Sequence, residues 1–155
     1  MIPEEVQKNI EDFFTTLPLE THIEFSYNEQ FGSLWCSVTT PDSKILIGRD
    51  GENLYYIRYI LRRILEAKNP EHVDIYHNII FDINGYEKER IEKIHSQAHM
   101  MAERARFFKS PIECEPMSAF DRRIVHEYLS SAEDLSTESC GEGKDRHIVI
   151  SFVSK

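Results

Sequence analysis

Two short stretches of this 155-residue chain carry side chains whose type and spacing suit an anionic ligand. The first is Ile47-Gly48-Arg49-Asp50-Gly51, an I-G-x-x-G run. Glycine has no Cβ, so the backbone there can approach a phosphate or sugar closely, and the amides of the loop and of a following helix N-terminus can donate to it. Arg49 adds a mobile positive group, whereas Asp50 and Glu52 put carboxylates where a phosphate would pass. An ordinary tight turn between two helices accounts for the same residues, because short glycine motifs are weak evidence by themselves. The second stretch holds Arg122 and His126, four residues apart. On a helix that spacing places both on one face. A guanidinium offers forked donors for a phosphate, and a neighbouring imidazole donates a hydrogen bond or stacks on a base. Arg123 lies beside this face. The same spacing also suits a solvated arginine next to a partly buried, hydrogen-bonded histidine.

The elements that must position these residues are legible from period and punctuation. Pro3 opens a helix with Val6, Ile10, Phe13, Phe14 and Leu17 on its apolar face, ending near Pro18. Alternation over His22 to Tyr27 predicts a strand, Gly32 a turn, and Ser33 to Thr40 a second strand stopped by Pro41. Asp42 or Ser43 caps a short helical turn through Ile47. After Gly51, the apolar positions Leu54, Ile57, Leu61, Ile64 and Leu65 recur at helical spacing until Asn69 and Pro70. Val73 to Ile83 then reads as a strand, Asn84-Gly85 as a turn and domain boundary, and Tyr86 to about Lys109 as a long helix. A short strand is expected over Ile112 to Glu115. Ser118 with Asp121 resembles a capping box for a helix to about Ser130, the helix that carries Arg122 and His126. Strands over about Leu135 to Ser139 and Arg146 to Val153 flank a glycine-containing turn at Cys140 to Asp145.

The bulk composition narrows the function classes. At 41% hydrophobic and 29% charged residues the chain fits one compact domain or two small ones. No apolar run spans a membrane and no secretory leader is readable, so a soluble, cytoplasmic protein is expected. Cys36, Cys114 and Cys140 form no C-x-x-C and read as packing residues in a reducing compartment. The net charge of -9 weighs against duplex binding, which draws most of its affinity from a basic footprint. It is unevenly spread: residues 1–85 hold 7 Lys and Arg against 14 Asp and Glu, and residues 86–155 hold 11 against 13. Single-strand binding needs only a small basic groove with stacking surfaces, so it stays open. Trp35, Tyr55 and Tyr56 are stacking candidates, and Arg104, Arg106 and Lys109 either complement a helix dipole or extend a nucleic-acid groove. His95, His99 and Glu103 share a helical face that a metal-dependent hydrolase would need, but H-E-x-x-H is absent, and no metal site is assigned. No nucleophile elbow, P-loop, dinucleotide fingerprint or cysteine cluster is present, and neither catalysis nor a cofactor is expected.

The order helix, strand, strand, short helix, G-x-x-G, helix, strand resembles a type II KH domain. Residues 113–150 contain E-C-E-P-M-S-A-F-D-R-R-I-V-H-E-Y-L and S-T-E-S-C-G-E-G-K-D-R-H-I-V-I, which resemble the R-x-x-x-H domain of the bacterial Jag family, also called SpoIIIJ-associated or KhpB proteins. The resemblance implies an α+β chain: a type II KH-like domain over 1–84, then an R-x-x-x-H domain over 85–155 with helices packed on a small three-stranded sheet. It implies binding of single-stranded RNA or DNA, most naturally by a post-transcriptional regulator or RNA chaperone. The implied contacts are the backbone of Gly48, Arg49, Asp50 and Gly51, and the side chains of Arg122, Arg123, His126, Lys144 and Arg146, with His147 adjoining. The N-terminal Jag domain of many family members is not expected here, so membrane association is not carried over. A second reading from another class is a protein-interaction adaptor that uses the acidic KH-like half, with another small KH protein as partner.

Overall fold

A computed structural model of the chain describes residues 2–29 and 33–154; the turn expected at Gly32 lies outside the described residues. The chain divides into two compact units, one ending at Glu87 and one starting at Lys88, each α+β with its own three-stranded sheet.

In the first unit α1 (Glu4–Thr15) buries Val6, Ile10 and Phe14, one residue per turn, while Glu4 and Glu5 sit in its first turn where the helix dipole favours anions. β1 (His22–Asn28) pairs antiparallel with β2 (Ser33–Thr39), and β2 pairs parallel with β3 (Ile79–Ile83), giving the order β1-β2-β3. The connection from β2 to β3 contains α2 (Ser43–Ile47), a tight 3-10 turn over Arg49–Gly51, α3 (Glu52–Lys68) and α4 (Val73–Asn78). Leu54, Leu61 and Leu65 of α3 meet Val6, Ile10, Phe14, Cys36, Val38, Phe81 and Ile83 in one core. Burial raises the Cys36 thiol far above its ordinary range, in keeping with a packing role.

α4 departs from the strand expected over Val73 to Ile83. The apolar, β-branched composition of the stretch favours a strand, but only Ile79 to Ile83 find ladder partners, opposite Leu34 to Val38 of β2. Val73–Asn78 satisfies its backbone as a helix instead. Tyr76 is buried there, its hydroxyl donating to the Asn69 carbonyl, and the Asn78 amide returns to the Asp74 carbonyl at 2.9 Å. Tertiary burial has overridden local propensity.

In the second unit α5 (Tyr86–Phe108) presents Ala98, Ala102 and Ala105 to the core. These small side chains sit with Val125 and Leu129 of α6 (Ala119–Leu129) and with Ile148 and Ile150 of β6 (His147–Phe152). β6 is the middle strand, between β4 (Ile112–Glu113) and β5 (Leu135–Cys140), and both pairings are antiparallel. The capping box is present: the Ser118 hydroxyl accepts from the Asp121 amide at 3.1 Å and starts α6. β4 is shorter than the stretch expected to Glu115, although the Cys114 amide still donates to the Ile148 carbonyl at 2.8 Å. Pro116, which has no amide proton to give, lies two residues on.

Candidate nucleic-acid interface

In the first unit the G-x-x-G turn is held by its surroundings. Gly48 has φ +73° and ψ -171°, a combination that is essentially glycine's alone. The Asn53 side-chain amide reaches back across the turn to the Ile45 carbonyl at 2.7 Å, and a Cβ on Gly48 would lie 2.6 Å from Asn53 Cγ. Gly51, at φ +80°, faces Tyr86, whose hydroxyl would be 2.9 Å from an added Cβ. Gly51→Ala is therefore expected to lower the stability of this unit by about 1–3 kcal/mol, from left-handed backbone strain together with contact against Tyr86. A thermal melt unchanged from wild type would contradict it.

Between these glycines Asp50 adopts the left-handed conformation, φ 52°, which Asp and Asn tolerate better than most side chains. Arg49 and Asp50 are both exposed, and among the described residues neither makes a side-chain hydrogen bond or ion pair. The charge around the turn differs from that of the unit as a whole. Residues 43–68 hold six of the seven Lys and Arg of residues 1–85 but only three of the fourteen Asp and Glu. The acidity lies elsewhere, so the turn with α2 and α3 is a basic segment in an acidic unit.

α3 carries a feature only partly legible in the sequence. Tyr55, Tyr56, Tyr59 and Ile60 are all exposed on it, and Ile45 of α2 is exposed as well. Helical periodicity marks Leu54, Ile57, Leu61, Ile64 and Leu65 as the buried side, which leaves this second apolar stripe facing outward. Trp35, by contrast, is buried.

In the second unit the strand pair β5/β6 gathers three of the expected residues. His126 Nδ1 lies 2.7 Å from Thr137 Oγ1 on β5. Two residues along, on the same side of that strand, Ser139 Oγ accepts from Arg146 Nε at 3.0 Å. Arg122 donates through one guanidinium nitrogen to the Met117 carbonyl at 2.8 Å, and the Met117 amide donates to the Arg146 carbonyl at 3.1 Å. A chain of hydrogen bonds thus runs from Arg122 through Met117 to Arg146 and on to Ser139. Arg122 and His126 are partly buried, so their positions are set by packing. Each keeps donors free: Arg122 uses one of about five, and His126 has its Nε2 side unengaged among the described residues. This arrangement can take a phosphate between guanidinium groups with an imidazole beside it.

The remaining residues of the expected set lie differently. Lys144 sits exposed in the turn Gly143–Asp145, two residues before Arg146. Arg123 turns away from Arg122 and His126: its guanidinium lies over the Phe120 ring at 5.4 Å, with Nε 3.5 Å from Glu127. His147 has Nδ1 at 2.8 Å from the Asp145 carbonyl and Nε2 at 3.9 Å from Glu113. Thr137 and Ser139 are not singled out by sequence reasoning; the alternation T-E-S on one strand is the available signal, but which helix it faces is a tertiary fact.

His95, His99 and Glu103 are not gathered into a ligand cluster. His95 stacks on Tyr128 with ring centroids 4.5 Å apart, and burial lowers its pKa. Among the described residues the one group of three ligating side chains is Glu5, Glu71 and His72, an exposed set accounted for by the His72–Glu5 contact at 2.7 Å. No helix among the described residues is long and apolar enough to cross a membrane.

Comparison with known proteins matches residues 92–152 to the R-x-x-x-H domain family, the span that contains Arg122, His126, Lys144 and Arg146. The chain is similar to a protein named RNA-binding protein KhpB from Clostridium symbiosum, 26% identical over 143 residues, 92% of this chain and 63% of that protein. It is also 30% identical over 116 residues to the protein of the same name from Bacillus subtilis (strain 168), covering 74% of this chain and 54% of that one. A third, from Lactiplantibacillus plantarum, is 20% identical over 91% of this chain and 43% of its own length. The chain thus spans roughly half of the length of the curated relatives that it matches.

Proposed function

The chain belongs to the bacterial Jag (KhpB) family, and from that premise we propose that it binds single-stranded RNA as a cytoplasmic, non-catalytic regulator or RNA chaperone. The observation that carries the reading is the joint anchoring of His126 and Arg146 on Thr137 and Ser139, with Arg122 tied in through Met117. Side chains fixed in this way meet a phosphate without first losing their rotamer freedom. The first unit, read as a type II KH-like domain, adds backbone donors at Gly48 to Gly51 and the basic surface of residues 43–68. Crosslinking in cells, followed by sequencing of the attached RNA, tests the proposal. Recovery of defined RNAs above background is expected, and none above background would overturn it.

On this reading Asp50 weakens the loop's own grip. Asp50→Asn keeps a side chain that tolerates the left-handed backbone and removes the carboxylate, so it is expected to tighten binding of a short RNA about twofold to fivefold at low salt, with the gain fading as salt rises. Unchanged affinity across a salt series would place the RNA path away from this turn.

A second reading has its own observation. The exposed stripe Tyr55, Tyr56, Tyr59 and Ile60 suits a protein partner, and another small KH protein is the natural candidate. Under that reading Ile60→Lys abolishes a pull-down that survives nuclease, while RNA binding by the second unit is kept.

A further inference from the structure

The C-terminal end of α5 carries an anomaly that neither the core nor the Arg122–His126 site explains. Phe107 is 81% exposed and Phe108 59%, their rings in edge contact at 5.0 Å, and neither belongs to the buried core of the second unit. Burying a phenylalanine ring is among the larger apolar gains open to a fold, so two adjacent exposed rings forgo a stabilisation that this unit does not use.

The setting of the rings is rigid and cationic. Residues 104–109 read R-A-R-F-F-K, three cations with no acid between them, in a chain of net charge -9. Arg106 clamps the helix end, donating from two nitrogens to the Asp134 carboxylate at 2.7 and 2.9 Å and from a third to Glu103 at 2.6 Å. Those bonds hold the Asp134 carboxyl below its usual range, and they engage both neighbouring acids. Arg104 and Lys109 are thus left without an ion pair among the described residues: Arg104 reaches the Met101 sulfur, and the Lys109 ammonium lies 3.4 Å from the centroid of Phe152. Phe152 pairs with Leu135, two residues along β5 from Thr137, the partner of His126. That step is about 7 Å, so the cationic end of α5 borders the same strand pair that anchors His126 and Arg146.

We infer that Phe107 and Phe108, flanked by Arg104 and Lys109, form a base-stacking platform that extends the single-strand path beyond Arg122 and His126. The inference rests on the RNA-binding reading above and adds to it a contact for bases, which the phosphate-facing arginines do not supply. Every base has a π face, so the platform is tolerant of sequence. Charge selects the occupant: exposed rings between two such cations suit a polyanion of stacked rings, whereas a protein-docking face would need a broader aliphatic surround than Val153, the exposed aliphatic residue near the end of β6.

The test uses the full chain and a mixed-sequence 12-nucleotide single-stranded RNA, with affinity measured over a salt series for Phe107→Ala/Phe108→Ala, Arg104→Ala/Lys109→Ala and Arg122→Ala/His126→Ala. The rings are exposed, so the first variant should fold as wild type, which circular dichroism verifies. It is expected to lose about tenfold in affinity with an unchanged salt slope, because stacking releases no counterions. The second variant is expected to flatten the slope. In Phe107→Trp the indole fluorescence should be quenched when RNA is added. Unchanged affinity of the phenylalanine variant and an unquenched indole, with the Arg122/His126 variant impaired, would overturn the platform alone and leave the pair to a protein contact. No RNA binding by the wild-type chain would overturn the functional reading and the platform with it.

Discussion

Replacing Arg122 and His126 together by alanine is expected to weaken binding of a short single-stranded RNA by about a hundredfold while leaving the fold intact. The magnitude follows from two lost hydrogen bonds to a charged acceptor, each worth about 1.5 kcal/mol or more, with about 1.4 kcal/mol per factor of ten. The slope of log affinity against log salt should fall by about 0.7 for each phosphate that the variant no longer neutralises. Neither residue belongs to the buried core, which is built from Ala98, Ala102, Ala105, Val125, Leu129, Ile148 and Ile150, so stability should change little. Thr137→Val separates positioning from contact. It detaches His126 from its anchor without removing the imidazole, and should cost a smaller part of the affinity with no change in slope. Fluorescence anisotropy at several salt concentrations reads all three quantities. A folded double variant with unchanged affinity and slope would remove the second unit from the interface.

The largest stability effect is expected in the first unit, at Arg58 and Glu87. The Glu87 side chain is fully buried, and its carboxylate takes a guanidinium hydrogen bond from Arg58 at 2.7 Å. Its backbone amide donates to the Asp82 carboxylate at 2.8 Å, tying the start of α5 to the end of β3. Removing the cation strands a carboxylate that water cannot reach. Arg58→Ala should therefore cost about 3–5 kcal/mol, which lowers the melting temperature by roughly 15 °C or more for a domain of this size. Replacing both partners by apolar residues of similar volume, Arg58→Met with Glu87→Leu, should restore most of the loss, because no buried charge then remains unpaired. Chemical denaturation of the two single variants and the double variant measures the coupling. A loss below about 1 kcal/mol for Arg58→Ala would mean that Glu87 finds compensation elsewhere.

The sequence disclosed most about features that are local. Val6, Ile10 and Phe14 announced α1 by their spacing, Leu54, Leu61 and Leu65 announced α3, and Ser118 with Asp121 marked the start of α6 to the residue. Gly48 and Gly51 were legible as a forced turn because their conformation excludes side chains. What depends on distant parts of the chain was hidden. Val73–Asn78 looks like a strand by composition and is a helix because β2 offers no ladder partners for it. Arg122 and His126 could be placed on one face from their spacing, but their anchors, Thr137 and the Met117 carbonyl, depend on how α6 lies against β5. Arg123 shows the converse: adjacent in sequence to Arg122, it points away around the helix and engages Phe120 and Glu127. The charge of residues 1–85 misled in a similar way, since a total is silent about the basic segment at 43–68.

The central claim is that RNA lies against Arg122, His126 and Arg146. Titrating the isotopically labelled chain with a short single-stranded RNA and following its nuclear magnetic resonance spectrum tests this directly. The account predicts that the amides of Thr137, Ser139 and Arg146 and the side-chain signals of Arg122 and His126 shift together and saturate at one ratio. Shifts confined to Tyr55, Tyr56, Tyr59 and Ile60, or none at all, would contradict it.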